Sequence, residues 1–280
     1  MTRRPLVLLG LAAATAAGAF AVWLAAFHVA GVRALDGSAL QSFTGVAQPP
    51  LTPRILGLAA LADPWPFAFA AVGLVAIALL RGRWLMAAVV PLILLLANVT
   101  TQQLKPGLAD TRIVDIRGTL AMYPGSWPSG HSTAAMSLAL CFVLVVGPRL
   151  RPLAAFIGAV YAIAVGYSLV VLGFHLPSDV LGGFLVAATF TLIGAAALAA
   201  AEARWPARAP RVVSPPALLS APGLTFVAIC GLAVAAVVLA VGAPNATLDV
   251  VEHPVAIAAG VGIAVLGVVL TTGLARVLRR

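Results

Sequence analysis

Two histidines of this chain lie in short motifs that suit the transfer of a phosphoryl group. Residues 128–131 read Pro-Ser-Gly-His where a polar loop meets an apolar segment, and His175 precedes Asp179 by four positions. A carboxylate that accepts a hydrogen bond from one ring nitrogen fixes the tautomer and leaves the other nitrogen free to attack, and histidine can act as a covalent nucleophile. Taken alone, the first motif is also an ordinary helix start, and the second is a loop histidine beside a capping aspartate.

The residues around these motifs could bind a phosphate. A helix N-terminus offers unpaired N–H groups and a partial positive charge, so a helix that begins near Gly130 suits an anion, with Ser129 as its cap or as an additional donor. Lys105 and Arg112 lie upstream in the same loop. Cations stabilise the oxygens of a transferring phosphoryl group, although basic residues near a membrane surface also anchor lipid headgroups.

The composition is that of a membrane protein. Of the 280 residues, 62% are hydrophobic and 9% are charged, with a mean hydropathy of +1.09, whereas soluble domains carry about 25% charged residues. Apolar runs of roughly 20 residues must form helices in lipid, because the backbone there can satisfy its hydrogen bonds only internally. The fold predicted is therefore an all-α, polytopic membrane bundle.

Eight membrane spans are predicted, with a short surface helix over 50–62 before the second. Asp63 is interpreted as the cap of that second span. The spans are predicted near residues 5–29, 64–80, 84–104, 131–147, 153–172, 180–201, 221–243 and 254–274.

The basic residues predict the orientation of the spans. Twelve of the 17 fall on one side of the predicted spans, and that side is cytoplasmic by the positive-inside rule. Both termini are then cytoplasmic, and the loops 105–130 and 173–179 face outward. The net charge of +9 thus reflects membrane topology and does not predict a nucleic-acid partner.

Three units are predicted along the chain. They are a six-span core over 1–203, a cytoplasmic linker over 204–220 that is rich in Arg, Pro and Ser, and a two-span appendage over 221–280. The appendage could serve as a dimerisation element, a gate over lipid entry or an address for a partner. No cluster with metal-ligand spacing is visible, so neither a metal nor another cofactor is predicted.

Together the motifs resemble the type 2 phosphatidic acid phosphatase family of membrane lipid phosphate phosphatases. The pattern is Lys105, six residues and Arg112, then Pro-Ser-Gly-His at 128–131, then Ser168, six residues, His175, three residues and Asp179. The resemblance covers roughly residues 50–203. It implies a six-helix core with the active site at the outer membrane–water interface of the cell membrane, acting on a membrane lipid phosphate without a metal.

The resemblance also implies a role for each motif residue. His175 would be the nucleophile that forms a phosphohistidine, Asp179 would orient it, and His131 would protonate the leaving group. The phosphate oxygens would be bound by Lys105, Arg112, Ser129 and the Gly130 amide.

Two positions depart from the family pattern. The third motif of the family has Ser-Arg where this chain has Ser168-Leu169, and the proline that follows the first-motif arginine is replaced by Ile113. An arginine that stabilises the transition state of phosphoryl transfer can be worth about 10³–10⁵ in rate. Arg117 is the candidate replacement for the missing cation.

Three functions are therefore compared. The leading hypothesis is hydrolysis of a lipid phosphate or a (poly)prenyl diphosphate at the extracytoplasmic face. A transferase would use the same phosphohistidine with an acceptor other than water. A catalytically weak lipid-phosphate binder is suggested by Leu169.

Overall fold

The computed structural model describes residues 3–47, 51–108, 110–116, 119–204 and 254–279. These residues form nine helices and one antiparallel hairpin. The helices are α1 (Arg3–His28), α2 (Ala30–Thr44), α3 (Thr52–Ala60), α4 (Pro64–Leu80), α5 (Trp84–Leu108), α6 (Gly130–Val145), α7 (Arg151–Val171), α8 (Pro177–Arg204) and α9 (Pro254–Val277), and the strands are β1 (Arg112–Ile116) and β2 (Thr119–Tyr123).

The predicted membrane bundle is confirmed. Helices α1, α5, α7, α8 and α9 are long and apolar enough to cross a membrane, and α3 with α4 would form a sixth span that is bent by 47°. Each predicted span in the described part of the chain coincides with a helix. The predicted span 221–243 and nearly all of the linker lie outside the described residues.

Helix α6 lies at the centre of the bundle. It has 16 residues, nearly all of them buried, and packs against α4, α5, α7 and α8. At about 1.5 Å per residue it is shorter than the roughly 30 Å hydrocarbon core of a bilayer. Its N-terminus, which carries residues 129–131, is therefore held in place by helices on several sides.

A glycine permits the close approach of α8 to the start of α6. A Cβ atom at Gly183 would lie 2.7 Å from the Ser129 carbonyl oxygen and 3.0 Å from the Thr133 backbone nitrogen. Small residues let helix backbones approach each other closely inside membranes. The first turns of α6 and α8 are thereby brought side by side.

Two elements were not predicted from the sequence. Helix α2 lies between the first predicted span and the predicted surface helix, where no element was predicted, and it buries a face that includes Asp36, Leu40 and Phe43. The β1–β2 hairpin pairs Arg112 with Tyr123 and stands in the predicted loop between α5 and α6. Both elements are too short to span a membrane, and both pack beside the start of α8.

Helix α9 packs against the core. It contacts α7, α8, α2 and α6, and the Tyr167 hydroxyl donates a hydrogen bond to the Gly260 carbonyl at 2.6 Å. The predicted separation of residues 221–280 as an appendage remains a prediction.

Arginines gather at the end of the bundle opposite the histidines. Arg4 and Arg151 donate to the Leu278 carbonyl at 3.1 and 2.6 Å. Arg83 pairs with Glu202 at the end of α8. The two ends of the bundle therefore differ in charge, as the distribution of basic residues along the sequence predicted.

Candidate active site

His175 and Asp179 form a pair at the N-terminus of α8. The Asp179 carboxylate accepts hydrogen bonds from His175 Nδ1 at 3.3 Å and from the Leu176 N–H at 3.1 Å. Asp179 is fully buried, whereas the His175 side chain is 14% exposed. The pairing engages Nδ1 and leaves Nε2 as the ring nitrogen that can react.

The local sequence explains this geometry. Pro177 begins α8 because its missing N–H costs nothing in a first helical turn. Asp179 then falls in the first turn, where the helix dipole favours a carboxylate. The Leu169 carbonyl accepts N–H groups from Phe174 and His175, which fixes the turn that leads into the pair.

The Asp179 backbone ties α8 to the Pro-Ser-Gly-His loop. Its carbonyl accepts the Ser129 N–H at 3.0 Å. Ser129 is fully buried and caps α6, because its hydroxyl accepts the Ser132 N–H at 3.3 Å. Of the two roles predicted for this hydroxyl, the cap is the one observed. Gly130 is partly exposed and lies beneath the Gln102 side-chain amide.

His131 contacts a residue that was interpreted as a helix cap. His131 Nε2 lies 3.0 Å from Asp63 Oδ1, with the two side chains 40% and 50% exposed. Asp63 does occupy the N-cap position of α4, but its side chain makes no capping hydrogen bond. Asp63 therefore occupies the predicted cap position, and its carboxylate contacts His131.

Arg112 lies in a buried network of side chains. Its Nη1 donates to Asp36 at 3.2 Å and to Ser178 at 2.9 Å, while its Nη2 donates to Ser126 at 2.7 Å and to Asp179. Each terminal nitrogen of a guanidinium has two N–H groups, so all four are engaged. The guanidinium also stacks over the Phe27 ring, 4.6 Å from its centroid.

This environment differs from the one expected for Arg112. A direct contact with phosphate was predicted. Of the N–H groups of Arg112, only the buried Nε–H lacks an acceptor among the described residues. The guanidinium instead contacts the same carboxylate that orients His175. Arg112 therefore contacts the His175–Asp179 pair directly, and its binding to a phosphate remains a prediction.

Asp36, on α2, is the residue of the site that the sequence analysis missed. Its carboxylate accepts the Ser178 N–H at 3.0 Å and the Ser178 hydroxyl at 2.6 Å, in addition to Arg112. Burial raises the pKa of this carboxyl to about 6, although the Ser178 hydrogen bonds and Arg112 lower it. One sequence signal was present, since Asp36 is the only charged residue between positions 34 and 50.

Lys105 is a second cation near the pair. It lies half-buried in the last turn of α5 and is close enough to Asp179 for their charges to interact. Gly125, which precedes the Pro-Ser-Gly-His loop, approaches its stem: a Cβ atom there would lie 4.0 Å from Lys105 Cβ. Lys105 is thus placed between the hairpin and the start of α6.

The structure places no charge at position 169. The Leu169 side chain is 1% exposed and belongs to the hydrophobic core. Arg117, the candidate replacement, lies outside the described residues. Those residues also contain no group of three or more His, Cys, Asp or Glu side chains that could hold a metal ion.

Comparison with known families identifies the part of the chain that carries the site. Residues 84–203 match the PAP2 superfamily. The matched PAP2 segment includes Lys105, Arg112, residues 128–131, His175 and Asp179, so the resemblance seen in the motifs is confirmed. Asp36 and Asp63 lie before it.

A solved structure shares the PAP2 fold. The crystal structure of the first transmembrane PAP2 type phosphatidylglycerolphosphate phosphatase from Bacillus subtilis aligns with a TM-score of 0.53 and 22% identity, covering 75% of this chain and 100% of that one. No curated protein matches the chain. The protein is therefore a multi-pass membrane protein with a PAP2 helical bundle.

Proposed function

We propose that the protein is a metal-independent phosphatase that hydrolyses a lipid phosphate or a (poly)prenyl diphosphate through a phosphohistidine. The observation that carries the proposal is the His175–Asp179 pair. It engages Nδ1, leaves Nε2 for attack, and lies beside the N-terminus of α6 and the Lys105 ammonium.

In the first step, His175 Nε2 attacks the phosphorus atom. The bond from phosphorus to the leaving oxygen breaks, and that oxygen takes a proton from His131. Because Asp63 engages His131 Nε2, Nδ1 is the atom from which that proton would come. Asp179 stabilises the positive charge that forms on His175, as a buried carboxylate does in other histidine dyads.

In the second step, water attacks the phosphohistidine. The phosphorus–nitrogen bond breaks, His131 accepts the proton of the water, and phosphate leaves with His175 restored. The negative charge on the transferring group would be held by Lys105, by the Gly130 N–H at the helix N-terminus and by the Arg112 Nε–H. Electrostatic stabilisation of this kind is the main contribution of proteins to phosphoryl transfer.

The reaction is assigned to the extracytoplasmic face. The histidines lie at the end of the bundle opposite Arg4, Arg83 and Arg151, and basic residues mark the cytoplasmic side. The lipid tail would remain among the helices, with the headgroup at the loops.

A catalytically weak lipid-phosphate binder is the second candidate. Position 169 carries a buried leucine in place of the family arginine, and Arg112 is occupied by protein acceptors. Both features reduce the cationic charge available to a phosphoryl group. The two candidates differ in turnover, because a binder would retain lipid phosphates without releasing phosphate.

Phosphate release from a panel of lipids tests the proposal. Purified protein would be assayed in EDTA with phosphatidate, a polyprenyl diphosphate and phosphatidylglycerolphosphate, the last because of the name of the Bacillus subtilis relative. We expect release from at least one of them and none after His175→Ala. Binding without release would favour the second candidate, and activity that survives His175→Ala would refute the nucleophile.

A further inference from the structure

Asp36 connects three elements at the base of the proposed site. It lies on α2, outside the PAP2 segment, and its partners are Arg112 on β1 and Ser178 on α8. All three side chains are buried. No step of the proposed reaction uses Asp36, because it is separated from His175 by Arg112 and Asp179.

Asp36 forms hydrogen bonds with Ser178 and Arg112, the two residues that fix the position of Asp179. One oxygen accepts the Ser178 N–H, in the first turn of α8, and the other accepts the Ser178 hydroxyl and Arg112 Nη1. Arg112 in turn bonds Asp179 Oδ1, while His175 bonds Oδ2. A continuous series of hydrogen bonds therefore runs from α2 to the nucleophile.

We propose that Asp36 is a positioning residue, which orients Arg112 and the first turn of α8 so that Asp179 stays aligned with the His175 ring. This inference rests on the proposed function. In this proposal Arg112, which bonds both the Asp36 and the Asp179 carboxylates, aligns Asp179. The proposal also gives α2 a role in the reaction, although α2 lies outside the family segment.

The charge of Asp36 matters more than its shape. All its hydrogen-bond partners are donors, and an ionised carboxylate is an acceptor only. An asparagine would turn an NH₂ group toward either Arg112 or Ser178, so one of these contacts would be lost. Removing one partner of a buried ion pair is strongly destabilising when it leaves the other charge unpaired. In Asp36→Asn the Arg112 guanidinium keeps Asp179 as its counter-ion, so we expect the loss to affect the reaction more than the fold.

The test measures kcat, KM and thermal stability for Asp36→Asn, Asp36→Glu and Ser178→Ala. At metal sites, loss of the outer hydrogen-bond partner that orients a metal ligand costs about 10- to 100-fold in activity. Asp36 orients the His175–Asp179 pair in a comparable way, so we expect kcat of Asp36→Asn to fall by about the same factor. KM should change by less than about threefold, because Asp36 does not touch the substrate. Asp36→Glu should recover part of kcat, and Ser178→Ala should show a smaller loss of kcat.

Asp110→Asn is the matched control. Asp110 is an exposed carboxylate that precedes β1 at the same end of the bundle, and its variant should keep both constants. Should Asp36→Asn not fold, the milder Ser178→Ala carries the same expectation of lower kcat at constant KM. A loss confined to KM, or a kcat within about twofold of wild type, would refute the positioning role and leave the phosphatase proposal standing.

A binding measurement separates this inference from the proposed function. Orthovanadate mimics the five-coordinate phosphorus of a displacement, so its binding by calorimetry reports the alignment of His175 without turnover. We expect the dissociation constant to rise about tenfold in Asp36→Asn. If wild type releases no phosphate from any lipid, the function fails, while unchanged vanadate binding in Asp36→Asn refutes the positioning role by itself.

Discussion

At the residue scale, the two oxygens of Asp179 have different partners. One bonds Arg112, and the other bonds His175 and the Leu176 N–H. Arg112 thus fixes one oxygen of this buried carboxylate, and the other oxygen orients the His175 ring. The reactivity of His175 should then depend on Arg112 and, through Arg112, on Asp36, which does not touch the substrate.

The protonation of Asp36 gives this dependence a pH signature. Burial raises its pKa to about 6, and the charged groups that face it are Arg112 and Asp179. Below pH 6 the carboxyl takes up a proton and becomes partly a donor, so its hold on Arg112 weakens. We expect the kcat of wild type to fall more steeply than that of Asp36→Asn as the pH falls through about 6.

Stability should change with pH in the opposite direction. A carboxyl whose folded-state pKa is raised from 3.8 to about 6 contributes stability below the lower value and loses it as the pH rises through the higher one. The thermal midpoint of wild type should therefore drop relative to that of Asp36→Asn between about pH 4 and 6. Parallel pH profiles of activity and of melting for the two proteins would contradict the assignment.

The contribution of His131 to kcat should depend only weakly on its contact with Asp63. An exposed ion pair is worth about 1 kcal/mol or less, and both His131 and Asp63 are well exposed. We expect Asp63→Asn to lower kcat by no more than about fivefold in a phosphate-release assay. A loss beyond about 50-fold at unchanged melting temperature would show that Asp63 is essential to His131.

The motif residues could be predicted because their roles are local. His175 and Asp179 are one helical turn apart, and Ser129 caps the helix that follows it, so spacing alone brings these groups together. The surroundings of Arg112 could not be predicted, since Asp36 lies 76 positions away in the sequence. Only the folded chain shows that Arg112 is enclosed and that Leu169 lies in the core.

At the element scale, the site depends on short elements packed between long ones. The spans could be predicted from apolar runs, because a segment that crosses the bilayer must be a helix of about 20 residues. Helix α2 and the hairpin carry no such signal: they are short and of mixed polarity, and tertiary contacts stabilise them. Asp36 and Arg112 lie on these two elements, which is why the sequence predicted the bundle better than the site.

The contact between α6 and α8 predicts the effect of Gly183→Ala. The added Cβ would lie 2.7 Å from the Ser129 carbonyl oxygen, and backbone atoms there cannot move without displacing the Pro-Ser-Gly-His loop. Overpacking of this kind costs about 1–3 kcal/mol. We expect a lower melting temperature and a lower kcat, measured on purified protein in detergent.

Gly262→Ala on α9 is the control for that substitution. A Cβ atom at Gly262 would have nothing within 4 Å, and alanine favours a helix over glycine by about 0.5–1 kcal/mol. This variant should melt at the same temperature or higher, with normal activity. If Gly183→Ala behaves like it, the two helices are not held as closely as described.

At the scale of the whole molecule, the two ends of the bundle carry different ionisable residues. One end gathers arginines on backbone carbonyls and Glu202, and the other holds the histidines. The basic residues that predict the orientation therefore lie at the end of the bundle opposite the proposed active site, and the proposed orientation can be tested directly.

Cysteine labelling in intact cells tests that orientation. In a background without Cys141 and Cys230, we would place single cysteines at the exposed positions Asp110 and Ala203. A membrane-impermeant maleimide should label Asp110→Cys in intact cells and Ala203→Cys only after lysis. The reverse pattern would put the histidines on the cytoplasmic side.

The most direct test of the proposed chemistry is to trap the intermediate. Protein mixed with a substrate lipid carrying a labelled phosphate would be quenched in alkali, which preserves phosphohistidine, and the labelled peptide would be located by mass spectrometry. We predict an acid-labile phosphate on His175, with none formed in His175→Ala. A label on any other residue, or a His175→Ala protein that is still labelled and still releases phosphate, would contradict the proposed mechanism.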